Sequence, residues 1–202
     1  MKKIAIIAFL LAVGVAAGRA QESRQDISIS GTALIEPFIA SQTDVQVHSN
    51  YALGALASYR FMLTPSSALE ANYGITYQNT IKFVLPQFPN GVKVAARTEE
   101  ASAAYVRQFN YKKFNPFAEA GPAAFILLPV RNTGTQSLDV KQSTEIGAIY
   151  GAGIAYEISP SFDIRAEYRG LVMKVPTFGD STFATNKWYN VFNPTIGVAY
   201  HF

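Results

Sequence analysis

The chain has no cysteine. That excludes disulfides, thiolate metal sites and a lipid anchor built on a cysteine. Histidine is nearly missing too, with only His48 and His201 in 202 residues, too few for a histidine-rich metal site. Long apolar runs are equally scarce. Ile4 to Ala17 forms one, and nothing after it approaches the roughly 18 residues that a membrane-crossing helix requires. No segment beyond Ala20 keeps a helical period. No nucleophile elbow or phosphate-cradling loop is present either. Gly147, Gly151 and Gly153 fall inside an alternating segment that no helix follows.

What is there begins with a leader. Met1-Lys2-Lys3 is positive, Ile4 to Ala17 is apolar, and Gly18-Arg19-Ala20 offers small residues where a signal peptidase reads. Residues 1–20 therefore read as a cleaved secretory signal, too short in its apolar part to serve as an anchor. The remainder, 21–202, reads as one domain, with Gln21 to Asp26 as a short tail. Three of the 17 cations lie in the leader and all 14 acids lie beyond it, which leaves 14 of each sign. A neutral domain without basic clusters gives no reason to expect a nucleic acid partner.

The rest of the chain alternates with a period of two. Tyr51, Leu53, Ala55, Ala57, Tyr59 and Phe61 interleave with Ala52, Gly54, Leu56, Ser58 and Arg60. Phe162, Ile164, Ala166 and Tyr168 interleave with Asp163, Arg165, Glu167 and Arg169. Eight such segments can be counted, at about 26–38, 47–63, 67–83, 94–109, 114–129, 141–158, 162–175 and 188–202. One face carries aliphatics with aromatics near the ends, and the other carries small residues with charges of both signs. A soluble barrel puts its large aliphatics inside. This pattern instead predicts apolar residues facing lipid and polar ones facing a lumen. Short links (64–67, 110–113, 159–161) alternate with longer ones near 39–47, 84–93, 130–140 and 176–187. The expected fold is all-β, an eight-stranded antiparallel up-and-down transmembrane β-barrel with short periplasmic turns and longer extracellular loops.

The last residues, Thr195-Ile196-Gly197-Val198-Ala199-Tyr200-His201-Phe202, alternate and finish on an aromatic. They resemble the C-terminal signal, here Gly197, Tyr200 and Phe202, that the barrel assembly machinery reads in bacterial outer-membrane proteins. With Asp163 to Arg169 and Pro116-Phe117-Ala118-Glu119-Ala120-Gly121, they make the whole domain resemble small eight-stranded outer-membrane barrels. The nearest type is the transmembrane domain of outer-membrane protein A and its adhesion-type relatives. The resemblance implies a monomer in the bacterial outer membrane, in contact with its lipids and lipopolysaccharide and inserted by that machinery. No cofactor is implied, and the periplasmic peptidoglycan-binding domain of longer members has no counterpart in this sequence.

Function is far less legible. The inward positions collect Arg60, Glu70, Glu100, Glu119, Glu145, Glu157, Asp163, Arg165, Glu167 and Arg169. An eight-stranded barrel is wide enough only for side chains, so these charges are expected to pair and plug the lumen. Acids outnumber arginines in this set, so water, protons or a cation must satisfy the surplus. The expectation is a non-enzymatic barrel with a structural or surface-interaction role. The alternatives are a narrow ion or small-solute channel, and a soluble lipocalin-like binder with an apolar interior. Neither histidine builds a catalytic pair with a serine two residues on, since His201 is followed only by Phe202, and His48 stands at the outer end of its segment. The outer links carry Phe88, Phe178 and Phe183, expected either as loop tips for a ligand or as caps, with Trp188 as an interfacial anchor. Lys174 and Lys187 at that end are candidates for lipopolysaccharide phosphates.

Overall fold

The computed structural model describes residues 24–37, 39–40, 46–49, 51–77, 79–85, 88–130, 141–179, 185 and 187–202. The leader and Phe183 lie outside the described residues. The strands are β1 (Gln25–Ile35), β2 (Ile39–Ala40), β3 (Gln46–Ser49), β4 (Tyr51–Thr64), β5 (Ser67–Thr76) and β6 (Asn79–Leu85), followed by β7 (Phe88–Gln108), β8 (Phe114–Pro129), β9 (Ser143–Ser159), β10 (Phe162–Lys174) and β11 (Trp188–His201).

Every pairing is antiparallel. The ring β1-β4-β5-β7-β8-β9-β10-β11 closes where the last strand meets the first, Asp26 opposite His201 and Ile35 opposite Phe192. These are the eight staves expected from the alternation. Closure matters because hydrocarbon offers no partner to an open strand edge. Along β5 burial alternates without a break from Ala68 to Thr76. Ile29, Leu53, Ile146 and Ile196 point outward at 70, 64, 68 and 64% exposure, while Ser28, Ser58, Asn72 and Arg60 point inward and are buried. In water that arrangement would be upside down, so the soluble alternative is set aside. Aromatics gather at the two rims: Tyr59, Tyr105, Phe114, Tyr156, Phe162 and Tyr200 toward the termini, and Tyr51, Tyr77 and Trp188 at the far end. Phe114–Tyr156 and Phe162–Tyr200 form tilted pairs with centroids 4.9 and 5.1 Å apart.

Three departures from the sequence reading follow. The link at 84–93 is a ribbon rather than a loop: β6 and β7 run on beyond the ring, with Asn79 opposite Ala96 and Phe83 opposite Val92. Strands β2 and β3 extend the same sheet in the row β2-β3-β6-β7. Between Ile75–Glu99 and Asn79–Ala96, one side advances four residues and the other three, so a bulge near Tyr77 shifts the facing of β6. Second, the lumen is not polar along its whole length. Its outer end holds Phe83, Val94, Phe125, Leu127, Leu171 and Met173, all buried together. The physical reason is the solvent. Beyond the hydrocarbon the outer face of the ribbon meets water, so β6 and β7 revert to the soluble pattern, with Ile81, Phe83, Val92 and Val94 inside and Lys82 and Lys93 outside. Third, the chain from Gln25 onward is strand rather than tail, and Asp26 is buried.

Candidate functional site: the ionic lumen and the closing seam

Strand parity alone brings the polar side chains of the ring to one axis, and their lengths decide which of them meet. Arg60 on β4 lies directly across from Glu70 on β5. Its Nε donates to Glu70 Oε2 at 2.6 Å, and its guanidinium stacks over the Phe117 ring at 4.8 Å. Arg169 on β10 spans the lumen. Its Nη2 and Nη1 donate to the two carboxylate oxygens of Glu100 on β7, at 2.7 and 3.2 Å, and its Nε donates to Glu119 on β8 at 3.1 Å. Glu167 Oε1 stands 3.9 Å from the same Nε, and Ser102 donates to Glu100 at 2.8 Å. Arg60 and Arg169 are 2 and 1% exposed. Charges so deeply enclosed persist only when paired and hydrogen-bonded.

A second group sits at the seam. Arg165 on β10 reaches past β11 to Asp26 on β1 at 2.8 Å. His201 Nε2 and Asp163 Oδ2 are 2.8 Å apart, with Asp26 Oδ2 3.9 Å from His201 Nδ1. First, penultimate and last staves are thus tied from inside. The sequence reading left Asp26 out because it was assigned to the tail. Its place two residues before Ser28 and four before Ser30, in step with the inward face, was the signal.

Two of the inward acids stay apart. Glu145 is half-buried near the outer end and accepts from Ser143 at 2.8 Å, and Glu157 is half-buried near the seam end. Neither joins an ion pair among the described residues. Several buried atoms have no hydrogen-bond partner in the protein, among them Arg165 Nε and Nη1 and both Asn72 amide atoms. No cluster of His, Asp or Glu with the spacing of a metal site occurs among the described residues.

Gly197 stands where β11 passes β1. A side chain there would meet Ser30 Cα at 2.6 Å and press closer still on Ser30 Oγ and the Ile29 carbonyl. Tyr200 packs between Phe162 and Phe202, with centroids 5.1 and 6.1 Å away. The loop residue Phe178 is not a tip. It is fully buried in the apolar end of the lumen, edge-on to Phe83 at 6.2 Å. Trp188 is exposed at the outer rim, with the Lys174 ammonium 5.8 Å from its ring centroid. Lys187 opens the hydrogen-bonded step into β11, its carbonyl accepting from the Val175 N–H at 3.0 Å.

A closed ring of eight strands with apolar sides outward, an ionic axis and aromatic rims defines an integral outer-membrane β-barrel. Residues 5–202 match the family model described as the outer membrane protein beta-barrel domain, and the chain belongs to that family. Its structural neighbours are of one kind. Neisserial surface protein A aligns with TM-score 0.60 and 15% identity over 89% of this chain and 98% of its own. The outer membrane protein OprG from Pseudomonas aeruginosa aligns with TM-score 0.65 and 11% identity, covering 90% of this chain and 97% of its own. The attachment invasion locus protein Ail of Yersinia pestis, solved with the heparin analogue sucrose octasulfate, aligns with TM-score 0.54 and 16% identity over 90% of this chain and all of its own. No curated protein matches by sequence. Family membership places the chain in the bacterial outer membrane.

Proposed function

We propose that this barrel is closed by its own side chains and works at its outer surface, as a structural and surface-interacting element of the outer membrane. It is neither a pore nor an enzyme. The observation that carries the reading is the cross-lumen clamp of Arg169 on Glu100 and Glu119. Three facing staves supply it, so it fills the axis where a solute would have to pass. The enclosed void between the ionic and apolar zones, lined by Thr32, Leu56, Thr98, Glu100, Phe125 and Asn193, measures about 10 Å³, room for a single water at most. No substrate reaches the inward carboxylates through such an axis. Export by a signal cleaved after Ala20 belongs to the same reading, and the mature protein then begins at Gln21. Ail, a barrel of this fold, was solved in complex with a heparin analogue, and ligand contact is the kind of work proposed here.

The unpartnered atoms of Asn72 and Arg165 favour the channel alternative, because they suit a hydrated file at the seam end. Planar-bilayer recording of the purified, refolded chain separates the two. A closed barrel gives no steady conductance level, whereas a stable open level of hundreds of picosiemens abolishes the proposal.

A further inference from the structure

We propose that the outward face of β5, β7 and β8 docks against the same face of a second copy of this chain, setting two barrels side by side in the membrane about a two-fold axis. The inference rests on the outward facing of the apolar residues and not on the closed lumen, since open and sealed barrels would pair alike. It departs from the monomer that the resemblance implies.

Between the rims, the outward positions of two neighbouring staves are small. They are Ala101 and Ala103 on β7, and Ala118, Ala120, Pro122 and Ala124 on β8. Ala71 carries the row onto β5, directly across from Ala103. Ala71, Ala103, Ala120 and Pro122 floor a groove of about 520 Å³, walled by Phe61, Leu69 and Tyr105. On the β5 side of this hollow stands a ridge. Leu69 and Tyr73 are each 51% exposed, and Tyr59 and Phe61 of β4 stand beside Ala71 and Leu69. One flank of β7 is therefore raised and the other is hollow.

A surface of that form complements itself. Rotation by half a turn about an axis through β7, along the membrane normal, places the ridge of each copy in the hollow of the other, and every contact occurs twice. Lipid is as apolar as the wall, so association draws on close packing, which small residues permit by letting backbones approach. The charge on this face suits the same partner. Glu99 and Arg97 are the next outward residues of β7 above Ala101. Their side chains lie 2.6 Å apart, and the Tyr73 hydroxyl donates to Glu99 at 3.1 Å. Opposite signs one outward step apart, on the strand nearest the axis, bring Arg97 of each copy within reach of Glu99 of the other. An acyl chain, the other occupant a lipid-facing groove could take, offers nothing to an ion pair.

The chain has no cysteine, so single introduced cysteines report contacts without background. The full mature barrel is refolded into vesicles at a high lipid-to-protein ratio and oxidised, and covalent dimer is read on a non-reducing gel. Ala103→Cys, at the axis, should cross-link in most molecules. Ile196→Cys should stay monomeric, being exposed beside another outward groove on β11, four strands further round the ring. Leu69→Cys and Ala120→Cys proteins, mixed, should cross-link to each other more than either does alone. Adding Ala120→Trp to Ala103→Cys should abolish the cross-link while the fast-migrating folded band is retained. Cross-linking of Ala103→Cys no greater than that of Ile196→Cys overturns the proposal and leaves the groove to acyl chains, a comparison that does not need the tryptophan variant to fold. A cross-link that Ala120→Trp leaves undiminished also overturns it.

Discussion

Arg169 holds carboxylates from two other staves, stands 3.9 Å from a third on its own strand, Glu167, and is almost completely enclosed. Replacing it with methionine keeps most of the volume and removes the only cation that touches Glu100 among the described residues. An ion pair broken by deleting one partner leaves an uncompensated buried charge, at a cost of about 3–5 kcal/mol. Arg169→Met is therefore expected to lower the urea midpoint of the refolded barrel by an amount corresponding to that range. Adding Glu100→Gln to Arg169→Met should recover part of the loss, because the stranded charge goes with it. A double variant no more stable than the single one would show that Arg169 acts by packing and not by pairing. Arg97–Glu99 is the internal control. With Arg97 46% exposed, screening leaves a pair of this kind worth at most about 1 kcal/mol, and Arg97→Gln should be almost silent.

At the scale of the strand, the same alternation carries opposite meanings in different solvents. Tyr51 to Phe61 and Phe162 to Arg169 could be read directly, because a strand crossing hydrocarbon shows its apolar side outward and the neighbouring rims mark its ends. The ribbon could not be read in that way. Ile81-Lys82-Phe83 and Val92-Lys93-Val94 alternate as clearly as any stave, yet Pro86 and Pro89 between them suggested a loop. A stave that leaves the membrane keeps its period and exchanges its faces, and nothing local announces where the exchange occurs. Phe178 stayed open between tip and cap for the same reason: an aromatic in a Gly- and Thr-containing link is not placed until the apolar end of the lumen is known. The inward charges were legible as a set, but not their partners, because Arg169 meets Glu100 and Glu119 across the barrel and not along a strand. Gly197 shows what the terminal motif does for the closed strand pair. The β1 backbone leaves no space for a side chain there, so Gly197→Val should stop β11 from seating on β1. The expected result is a large fall in the fraction that migrates as a folded band after refolding. Ile196→Val, which faces outward one residue earlier, should fold as the wild type does. Equal folding of both would detach the motif from closure.

For the molecule as a whole, the proposed closure rests on two dissimilar zones in series along one axis. The seal nearer the termini is ionic: Arg60–Glu70 and Arg169 with Glu100, Glu119 and Glu167. The outer seal is apolar, where Phe83, Phe125, Phe178, Leu171 and Met173 pack together. Either one blocks an ion for its own reason. On the closed-barrel reading the ionic zone holds an ion back by its paired side chains, and the apolar zone offers nothing to replace its water. Resistances in series add, so removing one seal leaves the other to dominate. Phe83→Ala/Phe125→Ala is therefore expected to lose stability, at about 3–5 kcal/mol for each ring removed, and still to remain electrically silent. Arg169→Met/Glu100→Gln should likewise remain silent behind the intact apolar zone. Only the combination of all four substitutions opens a continuous wet path, and it should give discrete current steps in planar bilayers under conditions where the wild type gives none. Current through the phenylalanine double variant alone would mean that the ionic zone is already permeable. The closed-barrel reading would then give way to a channel gated at its outer end by the apolar cluster.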